Sequence, residues 1–162
     1  MKYRQFEDLP VWQEASDLAR AMYEFTTLDS FRRHPGLRDQ LERAALSVSN
    51  NIAEGFERGT TNELLVFLYI ARGSAGEVRS MLRILEAWQA FAGCRSQITD
   101  LRNRCEKISK QLYGWIEQLK NSDIRGQRHL DEKKKAAYMN RKEREEFLEE
   151  LSRITAKPEK EP

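Results

Sequence analysis

The side chains that most often catalyse reactions or bind metals are scarce in this sequence of 162 residues. Its two histidines, His34 and His129, and its two cysteines, Cys94 and Cys105, lie far apart along the chain. A zinc site usually takes four such ligands at short spacings, so the pattern predicts neither a metal site nor a cofactor. An enzyme needs a base, a nucleophile or a metal in a defined geometry, and no such set is spaced together here. We therefore predict a protein that is not an enzyme.

One polar set does recur at helical spacing, on the second and third of the helices that the sequence predicts. If these two helices run antiparallel about a turn near residues 57–58, polar side chains from both lie at one level. We predict an ion pair between Arg43 and Glu77 at that level. A partly buried polar layer sets helix register more credibly than it adds stability, and we prefer that interpretation to partner binding or catalysis. The predicted layer comprises Gln40, Arg43, Asn51, Glu54, Ser74 and Glu77.

Glycines accompany this layer on both helices. Gly73 and Gly76 interrupt the third predicted helix, where each costs roughly 1 kcal/mol against alanine. We interpret them as points of close contact between helices, where a side chain would hold the backbones apart. Gly55 and Gly59 are expected to supply the left-handed conformations that end the second helix. The asparagine and glutamate of the N-I-A-E-G run would satisfy backbone groups at that helix end.

Basic side chains form a second candidate surface. Arg72, Arg79 and Arg83 share one face of the third predicted helix, and the start of the fourth helix is also basic. Such cations can bind the phosphates of nucleic acid, or they can pair with carboxylates on a solvated face. The net charge of +2 adds no bulk attraction for nucleic acid. The candidate nucleic-acid contacts are Arg72, Arg79, Arg83, Arg95, Arg102, Arg104, Lys107 and Lys110.

Four long helices are predicted to position these side chains. The prolines lie at positions 10, 35, 158 and 162, so residues 36–157 lack the strongest helix breaker. Apolar residues recur every three or four positions in four segments, as in helices that bury one face. We predict an all-α fold, an antiparallel up-down four-helix bundle over residues 1–120.

Local signals mark where the helices begin. Asp8 is the expected cap of the first helix and Pro10 suits its first turn, while the second helix opens near Pro35. Thr60 begins a T-x-x-E capping box at the start of the third helix, which should continue to residue 92. Its 32 residues would span about 48 Å. A serine or threonine at position 96 or 99 is the expected cap of the fourth helix.

The C-terminal segment differs in composition from the predicted bundle. Of its 42 residues, 121–162, eleven are basic and ten are acidic. Leu148, Leu151 and Ile154 allow one amphipathic helix between about 130 and 155, and the last residues are expected to be disordered. We predict a charged, partly helical extension outside the bundle.

Two further patterns bear on location and assembly. No apolar run approaches the roughly 20 residues of a membrane span, and the N-terminus lacks the apolar core of a signal peptide. We expect a cytoplasmic protein with no membrane partner. Trp12, Tyr23, Val66, Tyr69 and Trp88 lie off the main apolar stripes. Because monomers rarely expose large apolar patches, this surplus predicts contacts between subunits.

Four short motifs occur in a specific order over roughly residues 6–120: D-L-x-V-W-Q, G-L-x-x-Q, N-I-A-E-G and G-S-x-x-E. In this respect the chain closely resembles the four-helix-bundle proteins encoded in 23S rRNA intervening sequences. The matching positions are Trp12, Gln13, Gly36, Leu37, Gln40, Arg43, Ala44, Asn51, Ile52, Ala53, Glu54, Gly55, Gly73, Ser74 and Glu77.

The resemblance implies an all-α bundle that assembles into a ring-shaped homopentamer. It also implies a distant relationship to the accessory variability determinant proteins of diversity-generating retroelements, which bind a reverse transcriptase and nucleic acid through basic surfaces. Two functions stay open. One is an oligomeric scaffold for RNA or DNA, with a reverse transcriptase as a further partner. The other is a protein–protein adaptor that docks partners through the ring surface or the C-terminal segment.

Overall fold

The structure, a computed structural model, describes residues 3–121 and, in the C-terminal segment, positions 144, 147 and 148. Its helices are α1 (Pro10–Thr26), α2 (Pro35–Glu57), α3 (Thr61–Ala87) and α4 (Arg95–Lys120). Each helix packs against the next along the chain, and α4 also packs against α1. No strand occurs among the described residues, and the prediction of an all-α four-helix bundle is confirmed.

The apolar stripes that the sequence predicts form the core of the bundle. The buried residues of α1, α2 and α3 include alanines beside larger side chains, whereas α4 buries mostly isoleucine and leucine. The largest fully buried side chains come from all four helices and from the segment between α3 and α4: Phe56, Phe91, Leu18, Met22, Leu41, Ile52, Leu64, Leu68, Leu82, Leu85, Ile98 and Ile108.

Three of the predicted helix starts are confirmed. Pro10 and Pro35 occupy the first turns of α1 and α2, where a missing backbone N–H costs nothing. The Thr60 hydroxyl caps α3 by accepting a hydrogen bond from the backbone N–H of Glu63 at 3.3 Å. The capping box therefore fixes the first turn of α3.

The other two predicted caps are wrong. Asp8 lies in a short 3-10 turn, Phe6–Asp8, and the residue that precedes α1 is Leu9. Neither expected hydroxyl caps α4, which begins directly after Cys94. Thr99 instead donates a hydrogen bond to Glu86 of α3 at 3.3 Å. The Asp8 carboxylate instead accepts a hydrogen bond from the Gln5 amide at 3.1 Å.

Helix α3 is shorter than predicted because the chain turns inward after Ala87. A 3-10 segment, Gln89–Cys94, follows, and it buries Phe91. The ring centroids of Phe91 and Phe31 lie 4.9 Å apart, and those of Trp88 and His34 lie 4.6 Å apart. This aromatic cluster closes one end of the bundle. If α3 ran straight to residue 92, these ring contacts would be lost.

Of the four glycines discussed above, one agrees with the prediction and three differ from it. Gly59, with a φ of +80°, supplies the left-handed residue between α2 and α3, as expected. Gly55 lies inside α2, where an added Cβ would meet the Cβ of Phe67 at 2.6 Å. An added Cβ at Gly73 or Gly76 would meet nothing within 4 Å. The close contact between helices is therefore made at Gly55, and α3 leaves its own two glycines open to the surface.

The C-terminal predictions fall mainly outside the described residues. Of the amphipathic helix expected between about 130 and 155, the structure describes Arg144, Phe147 and Leu148, which are helical and exposed. The expected disorder of the last residues and the division of the chain at residue 120 stay predictions. In the described part of the chain, no helix combines the length and apolar character needed to cross a bilayer.

Candidate nucleic-acid interface

Five of the eight predicted cations come together where α3 and α4 lie side by side. Two adjoining grooves of about 450 and 300 Å³ run along this surface and share Arg79 and Glu106 in their walls. We call this surface the α3–α4 face. Its ionic and aromatic side chains are Arg72, Arg79, Arg83, Arg102, Glu106, Lys110 and Tyr113.

Two carboxylates partly neutralise this face. Glu86 accepts from Arg83 at 3.0 Å and from Arg102 at 3.5 Å, and Glu106 lies 2.8 Å from Lys110. The hydrogen bond from Arg83, followed by the charge of Arg102, lowers the pKa of Glu86. The hydrogen bond from Lys110 likewise lowers the pKa of Glu106. Both carboxylates are thus ionised at neutral pH. Arg83, Arg102 and Lys110 therefore pair with carboxylates, which was the alternative to phosphate binding.

The remaining two cations of the face form no ion pair with a carboxylate in the described part of the chain, although the charge of Arg79 contributes to the lowered pKa of Glu106. The Arg72 guanidinium lies 5.0 Å from the centre of the Tyr113 ring. Arg79 is exposed, lines both grooves and enters no ion pair among the residues described. Five cations against Glu86 and Glu106 leave an excess of three positive charges on the face.

The other three predicted contacts lie elsewhere. Arg104 pairs with Asp100 at 2.8 Å, and Lys107 pairs with Glu14 of α1 at 2.7 Å. Both side chains line a groove between α1 and α4, because residues 104 and 107 lie around the helix from residues 102 and 110. Arg95 is exposed at the first residue of α4 and lines neither groove of the α3–α4 face. The structure therefore does not gather the basic start of α4 into one patch.

The polar layer between α2 and α3 exists, but its members differ from the prediction. The hydroxyls of Ser47 and Ser74 lie 3.0 Å apart, and Asn51 donates to the Ser47 hydroxyl at 2.9 Å. Ser74 also donates to the backbone carbonyl of Ile70 at 3.1 Å. This half-buried cluster is the polar contact that joins the two helices at mid-length.

Other members of the predicted layer lie outside this cluster. Gln40, Arg43 and Glu77 are exposed, and no ion pair joins Arg43 to Glu77 in the described residues. Glu54 pairs with Arg58 one turn further along α2 at 2.6 Å. Neither Glu54 nor the asparagine of the cluster caps a helix end with its side chain, which is a second difference from the prediction.

The change of partner at Ser74 follows from helix register. Helix α2 continues to Glu57, so the connection to α3 consists of residues 58–60 and its centre lies beyond the expected 57–58. The antiparallel pairing shifts by about one helical turn, and Ser74 comes level with Ser47 instead of Arg43. The later turn thus changes the partner of Ser74, whereas Arg43 and Glu77 lie close to one level in this register and stay apart as exposed side chains.

Two tyrosines complete the α3–α4 face, and neither was among the predicted contacts. Tyr113 lines the groove beside Lys110, and Tyr69 lies one turn before Arg72 on α3. The Lys120 ammonium lies 5.7 Å from the centre of the Tyr69 ring. Each tyrosine is three residues from a basic residue on its own helix, so helical spacing could have identified both.

The rest of the described structure offers little reactive chemistry. Burial raises the pKa of the Cys105 thiol to about 12, so this cysteine stays a neutral core residue. A groove of about 340 Å³ between the N-terminal segment and α4 is lined by Tyr3, Leu9, Trp115 and other uncharged side chains. Within the residues described, no group of three histidine, cysteine or acidic side chains could hold a metal ion.

The fold and this surface define a four-helix-bundle protein with an excess of cations between its last two helices. Residues 7–114 match the 23S rRNA-intervening sequence protein family, and the chain belongs to that family. The resemblance inferred from the four motifs is therefore confirmed at the level of the family.

A solved structure has a similar fold. It is the crystal structure of a protein with unknown function from the S23 ribosomal protein family of Bacteroides thetaiotaomicron VPI-5482. The two chains are 20% identical and superpose with a TM-score of 0.59 over 66% of this chain and 98% of that one. No curated protein matches the chain. At this identity the comparison supports the fold alone.

Proposed function

We propose that this protein is a non-enzymatic oligomeric scaffold that binds nucleic acid through the α3–α4 face. The observation that carries the proposal is the gathering of five cations from two helices around open grooves, with two carboxylates among them. Phosphates bind such cations by releasing counterions, without base-specific contacts. The cations at Arg72 and Arg79 are available to phosphates without the loss of an existing ion pair.

The outer surface of α3 supports the oligomeric part of the proposal. Val66, Ile70 and Ile84 are 56%, 45% and 61% exposed, and Gly73 lies among them at helical spacing. We call these four residues the α3 stripe. Exposed Glu77 and Ser80 interrupt the row between Gly73 and Ile84. A second subunit would cover the exposed apolar side chains on either side of them. The open space above Gly73 would allow a partner helix to approach closely.

The other apolar residues predicted to lie between subunits differ in their exposure. Tyr23, Tyr69 and Trp88 are exposed, as expected, whereas Trp12 is half-buried with its ring centroid 5.1 Å from that of Phe6. We assign Tyr69 to the α3–α4 face, since it lies on the side of α3 that adjoins α4. The α3 stripe and the α3–α4 face thus use different sides of one helix.

Family resemblance supplies the finer parts of the proposal. It suggests a ring of five subunits and a reverse transcriptase as partner. The cytoplasmic location is proposed from the sequence patterns alone. A ring would repeat a weak basic face several times, and the resulting avidity can greatly strengthen binding to a long nucleic acid. This explains how a chain with a net charge of +2 can bind a polyanion.

The test is a comparison of two double variants with equal charge. Arg79→Gln with Lys110→Gln removes two cations from the α3–α4 face. Arg20→Gln with Arg104→Gln removes two exposed cations from other surfaces, each paired with an aspartate on its own helix. Binding of fluorescently labelled mixed-sequence RNA is measured by anisotropy at several salt concentrations.

We expect the first variant to bind more weakly, with a slope of log affinity against log salt reduced by about two per subunit site. The control variant should retain the slope and affinity of the original protein. Equal losses in both variants would mean that attraction is spread over the molecule. Absence of salt-dependent binding in the original protein would refute nucleic-acid binding.

A protein–protein adaptor is the second candidate, and the ion pairs favour it. Arg83, Arg102, Arg104, Lys107 and Lys110 each have a carboxylate within 3.5 Å, which reduces the charge available for phosphates. In that case the exposed α3 stripe would hold a partner protein. A chain that stays monomeric in solution and binds no RNA would support the adaptor.

A further inference from the structure

The α3–α4 face carries exposed aromatic rings among its cations. Tyr113 is 51% exposed in the wall of the same groove as Arg79 and Lys110, and Tyr69 is 44% exposed. A cation lies against each ring, Arg72 against Tyr113 and Lys120 against Tyr69. Binding of phosphates alone would need none of these rings, whereas a ligand with flat apolar groups could stack on their exposed surfaces.

The aromatic and the cationic side chains occupy successive positions along the face. Because α3 and α4 are antiparallel, Tyr69 lies beside Lys120, Arg72 beside Tyr113, and Arg83 beside Arg102 through their shared Glu86. Arg79 lies between the Arg72–Tyr113 pair and the Arg83–Arg102 pair. It shares a groove with Glu106 and Lys110. One end of the face is therefore rich in aromatic rings and the other in arginine.

From this arrangement we infer that the ligand of the α3–α4 face is a single strand of nucleic acid, whose bases stack on Tyr113 and Tyr69 while its phosphates bind Arg79, Arg83 and Lys110. This inference rests on the proposed function and specifies its ligand. In a duplex the bases are stacked on each other and only phosphates and groove edges are presented. In a single strand the bases are free, and stacking on aromatic side chains combined with a cationic groove is the usual mode of binding.

The dimensions of the face set the length of strand. From Tyr69 to Arg83 the helix advances about 21 Å at roughly 1.5 Å per residue. A stacked strand advances about 3.4 Å per nucleotide, so the face accommodates about six nucleotides. Every base has a flat π surface, so stacking on the tyrosines discriminates little between bases and we expect little sequence preference.

The experiment uses the full chain and two probes of the same sequence. One is an unstructured single-stranded 12-mer, and the other is the corresponding blunt 12-base-pair duplex, both labelled for anisotropy. Three variants are compared with the original protein: Tyr113→Leu, which removes the ring, Tyr113→Phe, which retains it, and Tyr23→Leu. Tyr23 is the control because it is 44% exposed, against 51% for Tyr113, and lies on α1, away from the face. Light scattering verifies that each variant keeps the oligomeric mass of the original protein.

We expect the original protein to bind the single strand at least about tenfold more tightly than the duplex. Tyr113→Leu should lose about tenfold in affinity for the single strand and change little for the duplex. Tyr113→Phe and Tyr23→Leu should behave as the original protein. In the original protein, 2-aminopurine placed within the single strand should also lose fluorescence on binding, because stacking on an aromatic ring quenches it.

The remaining outcomes separate the two proposals. If both probes bind equally and Tyr113→Leu changes neither, the single-strand inference is wrong while nucleic-acid binding stands. If the duplex is preferred, the same conclusion holds. If neither probe binds at low salt, the proposed function fails and the inference fails with it. The 2-aminopurine measurement needs no variant, so an unstable Tyr113→Leu protein would not leave the question open.

Discussion

The hydroxyl groups of Ser47 and Ser74 lie 3.0 Å apart across the contact between α2 and α3. Asn51 donates to the same Ser47 hydroxyl from one turn along α2. The cluster is half-buried and its groups are bonded to each other or to backbone carbonyls, so it satisfies polar groups that the surrounding core cannot. Its position also fixes which residues of α2 and α3 lie at the same height along the bundle.

A double-mutant cycle on these serines tests that contact. We expect Ser47→Ala and Ser74→Ala each to lower the free energy of unfolding by about 1 kcal/mol. The double variant should lose less than the sum of the singles, by about 0.5 kcal/mol or more, because the first substitution already breaks the shared bond. Urea unfolding of the four proteins measures the coupling, and strict additivity would contradict the contact.

The cycle of Arg43→Ala and Glu77→Ala is the matched comparison, since these were the partners that the sequence predicted. The structure has no ion pair between their side chains. We expect their effects on unfolding to add within about 0.3–0.5 kcal/mol. A coupling as large as that of the serines would mean that the Arg43 and Glu77 side chains meet, although both are exposed.

Substitution of two glycines by alanine should have opposite effects. At Gly55 the new methyl group would meet Phe67 at 2.6 Å, so we expect Gly55→Ala to lower the free energy of unfolding by about 1–3 kcal/mol. At Gly76 the methyl group enters open space and improves helix propensity, so we expect a gain of up to about 1 kcal/mol. Urea unfolding midpoints decide, and a neutral Gly55→Ala would show that α2 and α3 pack more loosely here.

The charge of Glu86 should make the stability depend on pH in the acid range. Its pKa is lowered in the folded state by the hydrogen bond from Arg83 and the charge of Arg102, so its ionised form stabilises the fold. That contribution is present above the ordinary glutamate pKa and disappears as the pH falls through the lowered value. At pH 7 we expect Glu86→Gln to melt at a lower temperature than the original protein.

The difference between the two melting temperatures should shrink once the pH falls below about 4. Glu57→Gln, on an exposed side chain at the end of α2, is the control and should follow the original protein throughout. A difference that grows towards acid pH would mean that Glu86 is not held in its ionised form.

Assembly should depend on the α3 stripe. We expect light scattering on the full chain and on residues 1–120 to give a closed oligomer near five copies, the number coming from family resemblance. Ile70→Lys with Ile84→Lys should lower the mass to that of one subunit, because both side chains are exposed in the isolated chain and a charge between subunits would be desolvated.

Leu46→Lys is the control for assembly, since Leu46 is 39% exposed on α2 and lies outside the stripe. It should leave the oligomer intact. A monodisperse monomer of the original chain at micromolar concentration would refute the assembly proposal and the avidity that depends on it.

The fold could be predicted from the sequence because it depends on features that repeat. An apolar stripe survives an error of one or two residues at a helix end, since the remaining positions still lie on the same face. The stripe of Leu64, Ala71, Val78 and Leu85, for example, is buried although α3 ends five residues earlier than expected. The family could be recognised because its motifs occur in a fixed order.

The candidate sites were harder to predict because they depend on pairs of residues from different helices. The partner of Ser74 changed when the turn moved by two residues, and no local pattern reports that register. On α4, Lys107 and Lys110 are three residues apart, yet one pairs with α1 and the other faces α3. Helical spacing could have marked the two tyrosines of the α3–α4 face as candidates, but not their contacts, because each ring contacts a cation on the neighbouring helix.

The short connection between α2 and α3 has a consequence for the order of folding. Residues 58–60 join the two helices, so Gly55 and Phe67 become contacts after the closure of a very small loop. Closing such a loop costs little chain entropy, and local contacts of this kind speed folding. The hairpin of α2 and α3 should therefore be largely formed in the transition state, with α1 docking later. Substitutions at the Gly55 contact would then slow refolding, whereas those in α1 would mainly accelerate unfolding.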